Sequence, residues 1–574
     1  MALMIDEMFQ KGFVNFLISD KVEEFSQIGG ELTDVGGMKV LLTKLRFFEN
    51  EWDLQEMVFS IFESSGDSEK MVEDFTEDFI KQFARHSSLS REEIIGVLSK
   101  KLQSGGSDRA SKMMKFAKVL KEKLVPDYVH FKCDNHINET AWEEVQELRK
   151  VEMVEDLLKK CFGIIKNSAS RKLMLAAIAE EFEEKTLKIV GLFSVKFLTT
   201  EKAAVKSFLV DYLQLILLMK NLINNKCIKK ACKRVEIKRV LSTLLDARVL
   251  INAVALHSAL EQGIARYQLW SQKMEASAFE RGFEKNTLYS EMQVMKEVRT
   301  LPEDTQKFLR YIDYNTKTFK KMDGIVSYCP DSLQEAEAKV ITSRSLICDK
   351  FRIAKERVHK ANDPPFLKNL SYAFDCRNWD WCWDTEHFKK EFGTFKENLI
   401  TTVLARNKEQ KIFMAGIDLG ILEMELITCV NQIQRGGLLK SMQREKHIYR
   451  QWRIILDDNR VKSKQLRGVL RKLIKRVQRA PNGQASCERS NSKYARYKNK
   501  YSNRMGIEII CARARAGENG PPLSSFPASK ARQYWVEDNH RLAQKVRRDT
   551  SSLTLVRRKR EGAKKYTSRI FVDL

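Results

Sequence analysis

The residues best suited to chemistry are cations, and they cluster late in the chain. Over 461–479, Leu466, Val469, Leu470, Leu473, Ile474 and Val477 recur at helical spacing and predict one apolar stripe. Lys462, Lys464, Arg467, Arg471, Lys472, Lys475, Arg476 and Arg479 cover most of the remaining surface. On an exposed helix, Lys462, Arg467, Arg471, Lys475, Arg476 and Arg479 would neutralise the phosphates of a nucleic acid. A second run, 493–501, alternates Tyr494, Tyr497 and Tyr501 with Lys and Arg. Aromatic faces set between cations suit stacking on unpaired bases. Further on, Arg557, Arg558, Lys559 and Arg560 read as a nuclear import signal.

Acidic residues offer a different chemistry. Ile412-Phe413-Met414-Ala415-Gly416-Ile417-Asp418-Leu419-Gly420 reads as an apolar strand ending on an aspartate, and Glu508 lies in a later apolar segment. This resembles the first motif of RuvC-type nucleases. The resemblance implies that Asp418 and Glu508 hold a catalytic metal for phosphodiester cleavage. A third acidic residue would have to be Asp573. The same nine residues also fit a helix, with Ile412, Ala415, Leu419, Leu422, Leu426 and Cys429 on one face.

Two groups of metal-ligand types stand out, Cys376, Cys382 and His387, and His130, Cys133 and His136. Neither completes a four-ligand zinc spacing, so no metal and no cofactor is expected. Glycine-rich phosphate loops, nucleophile elbows and His-Glu-x-x-His are absent from the sequence. A binding protein is therefore expected before an enzyme.

The elements that must carry these residues read as helices. Only nine prolines occur in 574 residues, with none between Pro126 and Pro302 or between Pro365 and Pro481. Proline breaks helices and populates the turns of β-rich folds, so such spans predict stacked helices. The expected fold is all-α, a solenoid- or bundle-like body with a basic, largely disordered tail. Gly36-Gly37, a helix over 38–45, a turn and a helix over 53–62 resemble one armadillo-type repeat. Ser90 with Glu93, Thr140 with Glu143 and Ser332 with Glu335 predict capping boxes. Asp363-Pro364-Pro365 and Ala480-Pro481-Asn482-Gly483 mark breaks. The resulting domains are 1–125 (acidic, helical), 126–363, 366–480 (ending in the basic helix) and 481–574 (tail).

Charge divides the same way. The net +25 resides wholly in 431–574, residues 1–100 sum to −10, and 49–79 holds eleven carboxylates and one lysine. So basic a segment implies a polyanionic partner. The eleven cysteines are scattered singly and no basic secretory leader opens the chain, which favours nucleus or cytoplasm. No apolar run reaches the length of a membrane span. The leading expectation is a non-enzymatic helical scaffold that binds nucleic acid, RNA ahead of DNA, through the basic helix and tail. Alternatives are a protein-interaction adaptor whose tail engages acidic partners or the 49–79 segment, the RuvC-like nuclease, and a peripheral binder of anionic membranes.

Overall fold

A computed structural model describes residues 2–33, 39–49, 51–64, 67–108, 110–166, 168–182, 198–224, 231–320, 322, 325–379, 386–405, 407–457, 468–497 and 507–519. Helix dominates these residues, but the all-α expectation fails in the first 132. There a five-stranded mixed sheet forms from β1 (Phe25–Thr33), β2 (Lys39–Phe48), β3 (Leu54–Glu63), β4 (Leu102–Ser107) and β5 (Val129–Lys132), in the order β3-β2-β1-β4-β5. β2 runs antiparallel to β1 and β3, whereas β4 is parallel to β1 and to β5. Helices α1 (Ala2–Ile18), α2 (Ser68–His86), α3 (Arg91–Lys101) and α4 (Ser111–Lys123) accompany it, and α5 (Asp134–Gln146) leaves it.

The supposed armadillo-like helices are thus the hairpin β2–β3. Every residue from Val40 to Phe48 is buried, because both faces of β2 are covered. Alternation then disappears, and a fully buried strand cannot be told from a helix by period. Leu41, Leu45, Phe47 and Phe59 pack on α1, α2 and α4 through Phe13, Phe75, Phe79, Met113 and Phe116. On the other side Ile28, Val40, Leu42, Val58 and Ile61 meet Cys487, Tyr494, Ile510, Cys511 and Ala514. Those five residues belong to the helices Ala485–Tyr497 and Ile507–Asn519.

The expected tail therefore begins with two helices that complete the second face of the N-terminal sheet. Residues 2–132 and the helices within 485–519 build one three-layered unit, and the helical body from α5 onward is inserted between them. The glycines of β4 (Leu-Gln-Ser-Gly-Gly-Ser) are required by close approach. A Cβ on Gly105 would lie 1.9 Å from Tyr128 Oη, and one on Gly106 would lie 2.9 Å from Pro481 Cγ.

The body holds two further cores. One spans Ala141 to Ala354; the other gathers Phe366 to Ala480 around Trp379 and Trp452 and reaches into the sheet domain through Phe48, Trp52, Leu54, Val129 and Phe131. Ser90 caps α3 in a full capping box, and Ser332 caps the 30-residue helix Leu333–Asn362. Thr140 caps nothing. It lies inside α5 with its hydroxyl donated to His136 O, since the helix already starts at Asp134. The Pro364-Pro365 break separates the 333–362 helix from Pro365–Phe374, as expected.

Ala480–Gly483 separates the helices Gly468–Arg479 and Ala485–Tyr497, a break as expected, but a buried one. Ala480, Pro481 and Asn482 are buried where the chain crosses from body to sheet. Ala278 N–H donates to Ala480 O (3.1 Å) and Asp134 N–H to Asn482 O (3.0 Å).

Candidate nucleic-acid interface

The helix Gly468–Arg479 forms where its apolar stripe requires, burying Leu470, Leu473, Ile474 and Val477. Its cations point mostly inward, toward the sheet domain. Arg476 donates Nε–H to Glu24 (3.0 Å) and Nη1–H to Phe413 O (2.7 Å) and Ala415 O (2.8 Å). Arg479 also bonds Glu24, and Lys472 Nζ stands 3.5 Å from it. Both arginines and Glu24 are buried. Burial alone would raise the Glu24 pKa, but Arg479, Arg476 and Lys472 outweigh it and hold the carboxyl at about 2.

Arg471 pairs with Glu51 and Asp457 and lies over the Trp52 ring. Lys475 is half-buried over Phe48, and burial lowers its pKa. The four predicted phosphate ligands on this helix thus fasten it to the N-terminal domain instead of lining an open face. Charge was legible in the sequence; its partners, some 450 residues away, were not.

Tyr494 is fully buried against the sheet, so its ring is not offered to a base. Tyr497 ends the 485–497 helix, and its side chain lies outside the described residues. Lys462, Arg467, Tyr501 and Arg557–Arg560 also lie outside them. What the described surface does present is a basic strip over 435–453. Arg435, Lys440, Arg444, Lys446, Arg450 and Arg453 are exposed, although Arg450 pairs with Glu275 and Arg453 with Asp457 (3.2 Å). The strip follows the end of the helix Leu419–Gly436 and the helices Leu439–Arg444 and Ile448–Leu456. In the sequence it is followed by 458–467, which contains Arg460, Lys462, Lys464 and Arg467.

The nuclease-like reading required a strand over 412–420. Instead a short helix, Lys408–Phe413, and a turn precede the 419–436 helix. Asp418 caps that helix by accepting the Ile421 N–H (3.0 Å). Gly416 takes φ +70° in the turn, a backbone region open to glycine at little cost. Glu508 falls on the 507–519 helix, packed against α1 and β3. Removing the cap by Asp418→Ala is expected to cost about 1 kcal/mol of stability, measurable by urea unfolding.

Other carboxylates border the carboxyl ends of the parallel strands, where open α/β sheets bind ligands. Glu31 of β1 pairs with Lys112 (2.8 Å). Asp108, just past β4, accepts the Ala110 N–H (3.1 Å). Glu488 faces His136 (3.7 Å) across the end of β5. Among the described residues no group of three or more His, Cys, Asp or Glu side chains is placed to hold a metal ion. His130 turns to Ser107 (3.2 Å) and burial lowers its pKa to about 4. Cys133 accepts the Gln484 N–H (3.3 Å). Cys376 is buried, while Cys382 and the His387 side chain lie outside the described residues.

Sequence reasoning missed the buried polar joint between body and sheet. Arg281 donates Nε–H to Asn482 Oδ1 (2.6 Å) and Nη2–H to Lys132 O (2.6 Å) and Asn482 O (2.8 Å). Its Nη1 meets Asp363 Oδ1 at 3.0 Å. Asp134, fully buried, has Lys355 at 3.6 Å and His359 at 3.3 Å. Burial opposes its ionisation, but Lys355, His359 and Arg281 keep its carboxyl well below the usual range. These residues are spread over more than 300 positions, so nothing in their local spacing announces them.

No helix among the described residues is long and apolar enough to cross a membrane. Comparison with known proteins found no matching family model and no matching curated relative.

Proposed function

We propose that this protein binds nucleic acid without altering it, through the 435–453 strip, the 458–467 segment that follows, and the residues beyond 519. One observation carries the reading. After the inward-facing arginines of 468–479 are set aside, Arg435, Arg444 and Lys446 still stand exposed, and 520–574 adds thirteen cations against five carboxylates. Phosphate neutralisation by such residues gives affinity that falls steeply with salt and depends little on sequence. The aromatic residues Tyr497 and Tyr501 among cations favour unpaired bases, hence RNA ahead of duplex DNA.

Deleting 520–574 is expected to weaken binding to single-stranded RNA by about tenfold or more at low salt. The slope of log K against log salt should flatten at the same time, by about 0.7 for each phosphate that is no longer neutralised. Equal affinity and equal slope for the shortened and full-length chains would remove the tail from the interface.

A further inference from the structure

A pocket of about 540 Å3 lies between the helices Arg281–Glu297, Leu333–Asn362 and Pro365–Phe374. That volume falls in the range of small-ligand sites. Its floor includes Arg281, His359 and Asp363, the polar joint that anchors the body to β5. Its mouth carries Lys285, Lys360 and Lys368, with Asn286 and the half-exposed ring of Tyr372.

The charge balance inside is positive. Asp363 is occupied by Arg281 (3.0 Å) and His359 (2.7 Å), and Glu356 by Arg352 (3.4 Å). Among the described residues, none of these three lysines that line the pocket is ion-paired; Lys360 and Lys368 are exposed and Lys285 is half-buried. The first turn of the 365–374 helix, with Leu367 and Lys368, forms part of the wall. Helix N-termini add fixed partial positive charge. Glu24 takes up Arg476 and Arg479; here three lysines without such a partner line one cavity beside an aromatic ring.

We propose that this pocket binds a phosphate ester, its phosphate held by Lys285, Lys360 and Lys368 and its organic part set against Tyr372. Lysine suits this role as a mobile point charge. The same chemistry comes from a free nucleotide or from a phosphate of a nucleic-acid strand. The pocket shares no residue with the 435–453 strip or with 520–574, and the proposal stands whether or not those bind nucleic acid.

The test is calorimetric titration of the full-length chain and of the double variant Lys360→Glu/Lys368→Glu. The probes are inorganic phosphate, adenosine triphosphate and a short single-stranded RNA. Lys360 and Lys368 are exposed, so the variant should keep the unaltered melting temperature. Loss of triphosphate affinity by about tenfold or more in the variant supports a free nucleotide as ligand. A loss confined to RNA assigns the site to a nucleic-acid phosphate. The proposal is overturned if the unaltered chain binds none of the three. It is equally overturned if the variant binds each as tightly as the unaltered chain does.

Discussion

Replacing Glu24 by Gln is expected to cost about 3–5 kcal/mol of folding stability, because it leaves buried cations without their counter-charge. Arg476, Arg479 and Lys472 all converge on this one carboxylate, and neither arginine can reach water without unseating the 468–479 helix. The effect depends on pH with a definite sign. Folding depresses the Glu24 pKa from the ordinary 4.5 to about 2. Its stabilisation is therefore complete above the unfolded value and fades as pH falls through 4.5 toward 2. Urea unfolding of the two proteins near neutral pH and again near pH 3 should show the difference shrinking. A variant indistinguishable from the original at neutral pH would mean that the cluster contributes nothing net.

Arg281→Met should cost a similar amount, about 3–5 kcal/mol, with a more specific signature. The guanidinium joins three segments distant in sequence: the end of β5, Asp363 at the exit of the 333–362 helix, and the Asn482 crossing. Its loss leaves Asn482 Oδ1 and O and Lys132 O short of a donor, and Asp134 with one cation fewer. Amide hydrogen exchange should rise in 482–497 and in β4–β5 before it rises in the body core around Leu250 and Val254. Uniform acceleration over the whole chain would instead indicate global loosening. Arg281→Lys is not expected to rescue, since an ammonium cannot reproduce the planar fork of donors.

How much of this was legible beforehand varies with the physics of each element. The caps at Ser90 and Ser332 and the stripe of 468–479 were readable because they are local, each set by residues within a few turns. The sheet was not. β2 is covered on both sides and so lacks alternation, and β4 has glycines that only a folded neighbour, Tyr128 or Pro481, explains. The predicted phosphate ligands show the deeper obstacle. Sequence displays the sign of Arg476 and Arg479 but not that Glu24 has been brought to meet them. The break at Pro481-Asn482-Gly483 was legible, but not that it is buried, since turn-forming composition fits an exposed linker and a buried crossing equally well. What survived is the coarse charge division, now borne on the exposed surface by 435–453 rather than by the helix that seemed most basic.

The two-ended assembly of the sheet has a consequence for biosynthesis. Ile28, Val40, Leu42, Val58 and Ile61 emerge from the ribosome early, yet the helices that shelter them are translated only after residue 484. At about 5–20 residues per second, that side of the nascent sheet stays bare for roughly 20 s or longer. A transient chaperone client is the expected outcome, and truncated products should precipitate where the finished polypeptide does not.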